Sequence, residues 1–98
     1  MEKTNVMRFL DAHKIEYRAR EYDPALTDGQ SVARTLGLEA DRVFKTLVTT
    51  DGKRNYFVFV IPVNCTLHLK KAAAAVGAKS VEMIKQRDLL PLTGYIHG

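Results

Sequence analysis

Nucleophiles and metal ligands are scarce in this chain. Its 98 residues include two serines, Ser31 and Ser80, one cysteine, Cys65, and three histidines, His13, His68 and His97. None of them falls at a spacing that suggests a Ser-His-Asp triad or a tetrahedral metal site. A protein nucleophile, a metal and a cofactor are therefore all unexpected. A single cysteine excludes an intrachain disulfide and fits a reducing cytoplasm. With no histidine or CxxC partner nearby in sequence, Cys65 is expected to be a small buried hydrophobe. There is no signal-peptide pattern, and no apolar segment approaches the ~20 residues that span a bilayer. No membrane association is expected, and the protein is read as cytoplasmic.

What is present suits one small domain. Hydrophobic residues make up 46% of the chain, enough to close one core at this length but not two. The formal net charge is +4, a bias toward anionic partners. The basic residues are dispersed, with Lys53-Arg54 and Lys70-Lys71 the adjacent pairs, so a structured surface rather than a basic tail would have to hold RNA or phosphate.

Helical and strand periodicities alternate along the chain. Thr4 is placed to cap a helix running to about His13 that buries Val6, Phe9 and Leu10. Ile15, Tyr17 and Ala19 alternate with Glu16, Arg18 and Arg20 in the period of a strand, ended by Tyr22-Asp23-Pro24. Asp28 is expected to cap a second helix, with Val32, Ala33 and Leu36 on one face and Gly37 as its left-handed stop. A hairpin follows: residues 43–50, the Asp51-Gly52 turn, then Asn55 through Ile61, a strand apolar on both faces and so expected to be central. An alanine-rich helix over 70–76 stops at Gly77. Val81 to Met83 reads as another strand, and Ile84 to Leu90 as a short helix before Pro91. The ending Thr93-Gly94-Tyr95-Ile96-His97-Gly98 resembles an interrupted loop, and the natural domain is expected to continue past it.

The most informative stretch is Val43-Phe44-Lys45-Thr46-Leu47-Val48, where one lysine interrupts an apolar strand. Side chains alternate between faces, so Lys45 points away from Phe44 and Thr46. Either it reaches solvent or its ammonium is held in a cleft. Val60-Ile61-Pro62-Val63, Leu67-His68-Leu69-Lys70-Lys71-Ala72, Val76-Gly77-Ala78-Lys79 and Thr93-Gly94-Tyr95 follow it. In that order and spacing the set resembles the YbaK/EbsC family, which is similar to the editing domain of bacterial prolyl-tRNA synthetases. The resemblance covers essentially the whole chain, read as roughly the N-terminal two thirds of the family domain.

The resemblance implies an α/β fold: a YbaK-like single domain over residues 1–98, with a mixed, mainly antiparallel sheet flanked by short helices and truncated at its C-terminus. It also implies an aminoacyl-tRNA deacylase that clears mischarged tRNA, Cys-tRNA(Pro) foremost. Lys45 matches the lysine on which family activity depends, and Thr46 accompanies it. Tyr22 falls at an aromatic position lining the pocket. Gly98 matches the first glycine of a Gly-Gly-x-Ser-Pro loop that contacts the ester, the rest of which is absent here. His68 stands where the family usually has a helix-capping aspartate, and a looser helix start is expected because histidine caps poorly. The implied partners are the tRNA acceptor end and a prolyl-tRNA synthetase, with monomer and homodimer both open.

The residue inventory fits that chemistry. A cysteinyl substrate carries its own thiol, so the protein need only position it and stabilise the oxyanion. Positioning contributes up to ~7–11 kcal/mol and an oxyanion donor ~3–4 more. Lys45 as anchor for phosphate or ribose is favoured over Lys45 as general base, which would need a strongly depressed pKa. The alternative from another class is a module that binds the tRNA end or a synthetase without hydrolysing anything.

Overall fold

The structure is a computed structural model and describes residues 2–94. Helix α1 spans Asn5–Ala12, with the Thr4 hydroxyl accepting from the Met7 N–H at 3.2 Å. Its closure uses Lys14 at φ 56°. The Lys14 N–H bonds the Asp11 carbonyl and the Ile15 N–H bonds the Leu10 carbonyl at 2.9 Å, the doubled bond pattern that ends a helix through a left-handed residue.

Two expectations fail in this region. Val6 and Phe9 are exposed, and no residue of α1 is buried; the Phe9 ring lies 4.1 Å from that of His13. Residues 15–20 form no strand. The Ile15 N–H is spent on closing α1, and the Arg20 guanidinium reaches the Leu36 carbonyl at 3.5 Å.

Helix α2, Gly29–Thr35, starts at Asp28 and ends with Gly37 at φ 70°. The Asp28 carboxylate accepts from the Gln30 N–H at 3.0 Å and from the Ser31 hydroxyl at 2.7 Å. Ala33 is its buried residue. A 3-10 turn, Ala40–Arg42, leads into β1, Phe44–Thr50. The Asp51-Gly52 turn carries the chain into β2, Tyr56–Pro62. The Asp51 carboxylate collects the Lys53 N–H at 2.7 Å and the Asn55 side-chain amide at 2.8 Å.

Helix α3, Leu69–Val76, is capped by His68, whose Nδ1 accepts from the Lys71 N–H at 3.2 Å. The histidine thus does the work expected to be weak there, since its ring nitrogen reaches the donor that a carboxylate would meet. Strand β3, Glu82–Met83, and helix α4, Gln86–Thr93, follow. Pro91 lies inside α4 rather than ending it. The bond it deletes would have gone to Arg87, an exposed residue, so no buried acceptor is stranded.

The sheet order is β2-β1-β3, with both pairings antiparallel. Among the described residues β2 thus pairs with β1 alone rather than lying at the centre of the sheet, although its residues are apolar on both faces. Burial is concentrated on one face. Ala72, Ala73 and Val81 are buried, with Phe57, Phe59 and Leu67 packed against them. Thr49 is fully buried and donates its hydroxyl to the Phe57 carbonyl at 3.0 Å. The Cys65 expectation also fails, for the residue is exposed in the turn after β2, with Sγ 3.6 Å from Asn64 Oδ1.

Gly29 sets how closely α2 approaches the sheet. A Cβ at that position would lie 2.5 Å from Val63 Cγ1 and 2.9 Å from Val63 Cβ, and Val63 is itself buried. Gly29→Ala is expected to destabilise by ~1–3 kcal/mol through overpacking, with much of the loss recovered in the Gly29→Ala/Val63→Ala double variant, as read by urea denaturation.

The two capping carboxylates make stability acid-sensitive. The Ser31 hydroxyl, then the Gln30 N–H, hold Asp28 below the ordinary carboxylate range. The Asn55 amide, then the Lys53 N–H, do the same for Asp51. A folded pKa below the unfolded one contributes stability that is complete above the unfolded value and lost as pH falls through the folded value. The urea midpoint should therefore hold from neutrality down to about pH 5 and fall below about pH 4, with a shallower fall in Asp28→Asn and Asp51→Asn.

Candidate active site

Lys45 pairs with Ile61 across the β1–β2 ladder, between the Phe44–Pro62 and Thr46–Val60 pairs. Paired residues of an antiparallel ladder share a face, so Lys45 and Ile61 lie on the same face as Leu47, Phe59, Thr49 and Phe57. That is the face on which Phe57 and Phe59 meet the buried alanines of α3. At its other end the Val63 N–H bonds the Val43 carbonyl at 2.8 Å, and Gly29 of α2 rests on Val63. The Lys45–Ile61 rung thus falls between the stretch covered by α3 and the stretch met by the start of α2.

Lys45 is half-buried there. Among the described residues its ammonium has no hydrogen-bond or ion-pair partner; the two salt bridges are Lys3–Asp11 at 2.7 Å and Arg42–Glu39 at 3.4 Å. Neither β1 nor β2 contains an acidic residue. The lysine thus sits on a partly covered face with no protein anion bonded to it among the described residues, an arrangement suited to an anionic or strongly polar ligand.

Thr46 is exposed and points to the opposite face, opposite Val60. Tyr22 is 42% exposed in the loop before α2. No hydrogen bond joins it to Lys45; its neighbour Asp23 accepts from the Ala25 N–H at 2.9 Å in a local turn. Gly98 lies outside the described residues. Gly29 went unread as a positioning residue. Its one signal in sequence is a glycine, a poor helix former, directly after a capping aspartate.

An open groove of about 930 Å³ lies elsewhere, lined by Asp11, Lys14, Ile15, Glu16, Tyr17 and Arg18. Some of its charge is already satisfied within the protein. The Lys3 ammonium bonds Asp11 at 2.7 Å and holds its carboxyl below the usual range. Partial burial, followed by the hydrogen bond to Asp11, raises the Tyr17 hydroxyl. Among the described residues no group of three or more His, Cys, Asp or Glu could hold a metal ion, and no helix is long and apolar enough to cross a membrane.

Comparison with known proteins supplies the context for Lys45. The sequence model of the aminoacyl-tRNA editing domain matches residues 23–98, a span that includes Lys45 and Thr46 and begins one residue after Tyr22. The "Putative Cys-tRNA(Pro)/Cys-tRNA(Cys) deacylase EbsC" of Enterococcus faecalis is 48% identical over 101 residues, covering 99% of this chain and 60% of that protein. The crystal structure of hypothetical protein APE2540 superposes with a TM-score of 0.82 over 95% of this chain and 62% of that one, at 23% identity; it shows the fold alone. The chain thus spans about 60% of the length of the curated relative it matches. The match over residues 23–98 and the 48% identity to the Enterococcus faecalis protein show that the chain belongs to the aminoacyl-tRNA editing domain family, on the YbaK/EbsC side.

Proposed function

We propose that this protein is a trans-editing aminoacyl-tRNA deacylase that clears mischarged tRNA in the cytoplasm, with Cys-tRNA(Pro) its foremost substrate. The observation that carries the reading is Lys45, a half-buried lysine with no protein anion bonded to it among the described residues, at a position that resembles the family's lysine. The name borne by the Enterococcus faecalis relative specifies cysteine, which makes cysteine the first amino acid to test. The need for such an activity is physical: a synthetase pocket discriminates amino acids of nearly equal size by only ~1–3 kcal/mol, so a second, hydrolytic sieve is required.

Lys45 anchors a phosphate or ribose of the acceptor end and leaves the aminoacyl ester oriented for attack. In the cysteinyl case the substrate thiol attacks its own carbonyl. A carbon–sulfur bond forms, the carbon–oxygen bond to ribose breaks, and the thiol proton passes to the released hydroxyl. With an amino acid that lacks a thiol, water takes that place and the free acid leaves. By the family resemblance the loop that includes Gly98 contacts the ester and supplies an oxyanion donor in either case, and Tyr22 lines the pocket. Thr46, on the other face of β1, contributes through the strand rather than by touching the ester. A prolyl-tRNA synthetase is the partner that would add tRNA identity to a domain small enough to grip mainly the acceptor stem.

The test is release of labelled amino acid from Cys-tRNA(Pro), Ala-tRNA(Pro) and Ser-tRNA in parallel. Release is expected from Cys-tRNA(Pro). Lys45→Ala should slow it by about 100-fold or more with an unchanged circular dichroism spectrum. Full activity in that variant would remove the lysine from the site. Tight tRNA binding by the unmodified chain with no release would favour a non-catalytic module for the tRNA end or a synthetase.

A further inference from the structure

We infer that Lys85 is a second phosphate-binding residue beside Lys45, so that the two lysines hold neighbouring phosphates of the acceptor strand. The inference rests on the proposed editing function for the identity of that strand; the placement of the two cations stands without it.

The ladder between β1 and β3 places Lys85. Thr50 pairs with Glu82 and Thr49 with Met83, and the Ile84 N–H bonds the Val48 carbonyl at 3.1 Å, which carries the pairing one residue beyond β3. Lys85 follows in extended backbone, φ -70° and ψ 141°, before α4 begins. Side chains alternate along such a segment, so Val81, Met83 and Lys85 share a face. Val81 identifies which one, for it is buried with Ala72 and Ala73 of α3. That is the face of Thr49, Leu47 and Lys45. Lys85 therefore stands opposite Leu47 as the diagonal neighbour of Lys45, and such neighbours lie ~7–8 Å apart. Both ammonium groups sit on flexible four-carbon stems and reach one extended ligand.

Local forces do not account for a cation at this position. Lys85 is the N-cap of α4 and makes no side-chain cap bond. An N-cap favours Ser, Thr, Asp or Asn, whose oxygen accepts from the first-turn amides, and it meets the positive end of the helix dipole. The same residue stands diagonal to another lysine, and like charges that share a sheet face repel. Neighbouring carboxylates relieve neither conflict. Glu82, paired with Thr50, lies on the opposite face. Asp88 lies in the first turn of α4, and among the described residues neither it nor any other acid forms an ion pair with Lys85. A bound phosphate relieves both conflicts at once.

The diagonal spacing selects two phosphates over one. Drawing both ammonium groups onto a single phosphate would press like charges together, whereas a strand with one phosphate per nucleotide gives each cation its own anion. Leu47, half-buried between them, is an apolar step on which the intervening sugar packs.

The test is binding of an acceptor-stem hairpin RNA that is not aminoacylated, with its single-stranded 3′ end, in versions that carry a neutral methylphosphonate at one linkage at a time. Affinity is measured across a salt series for the unmodified protein and for Lys85→Gln, Lys85→Arg and Lys45→Gln, with folding checked by circular dichroism. Neutralising either of two neighbouring linkages is expected to weaken binding to the unmodified protein. Lys85→Gln should bind about 5-fold more weakly, lower the slope of log affinity against log salt by about 0.7, and become insensitive to one of those linkages only. Lys45→Gln should become insensitive to the other, and Lys85→Arg should keep both. An unchanged salt slope in Lys85→Gln, or a loss of affinity spread equally over all linkages, would overturn the inference. Release of cysteine from Cys-tRNA(Pro), measured alongside, separates the two claims: the linkage pattern without release retains the phosphate pair and removes the editing function, and release with no linkage effect in Lys85→Gln does the reverse.

Discussion

The register of one hairpin determines most of what this molecule can do. The ladder that begins at the Asp51-Gly52 turn and runs to the Val43–Val63 bond pairs Lys45 with Ile61 on the face shared with α3. A slip of a single residue would turn every side chain of one strand over. Were β1 the strand that slipped, Lys45 would move to the open face and Phe44 to the covered one. Two devices hold the register: the Asp51 carboxylate gathers donors at the turn, and Thr49, fully buried, bonds the Phe57 carbonyl across the strands. The cation is therefore placed by polar contacts remote from it.

The core that this register supports is built from small side chains. Ala33, Val48, Val63, Ala72, Ala73 and Val81 are buried, whereas Phe9, Phe44, Tyr56 and Val58 are at least half exposed. Small residues allow close approach: α2 reaches the sheet because position 29 is glycine. The same closeness brings the two helices to either side of the Lys45 rung. On the other side of the sheet, among the described residues, Tyr56, Val58 and Val60 stay exposed.

Local chemistry was legible in the sequence. Thr4, Asp28, Gly37, the Asp51-Gly52 turn and Gly77 all act where their side chains or their freedom at positive φ predict, because caps and turns are decided within a few residues. Position in the sheet was not. The apolar β2 reads as a central strand, since its composition reports burial and not which neighbours supply it; among the described residues it has one neighbour, and Val58 and Val60 are exposed. Residues 15–20 alternate as a strand does, yet helix closure takes the Ile15 N–H and no ladder forms. Lys45 stands out in the sequence because a charge inside an apolar run is conspicuous. Gly29 was missed because its importance lies in a tertiary contact with Val63, thirty-four positions away by sequence number.

The central claim is that the Lys45–Ile61 rung is where the acceptor end of tRNA meets this fold. Backbone amide shifts, followed by NMR during titration with a short acceptor-stem RNA bearing a non-hydrolysable cysteinyl group, test it most directly. The account predicts that the largest changes cluster on residues 43–47 and 61–63 and at the start of α2. Changes confined to the groove from Asp11 to Arg18, or binding that leaves the Lys45 rung unmoved, would contradict it.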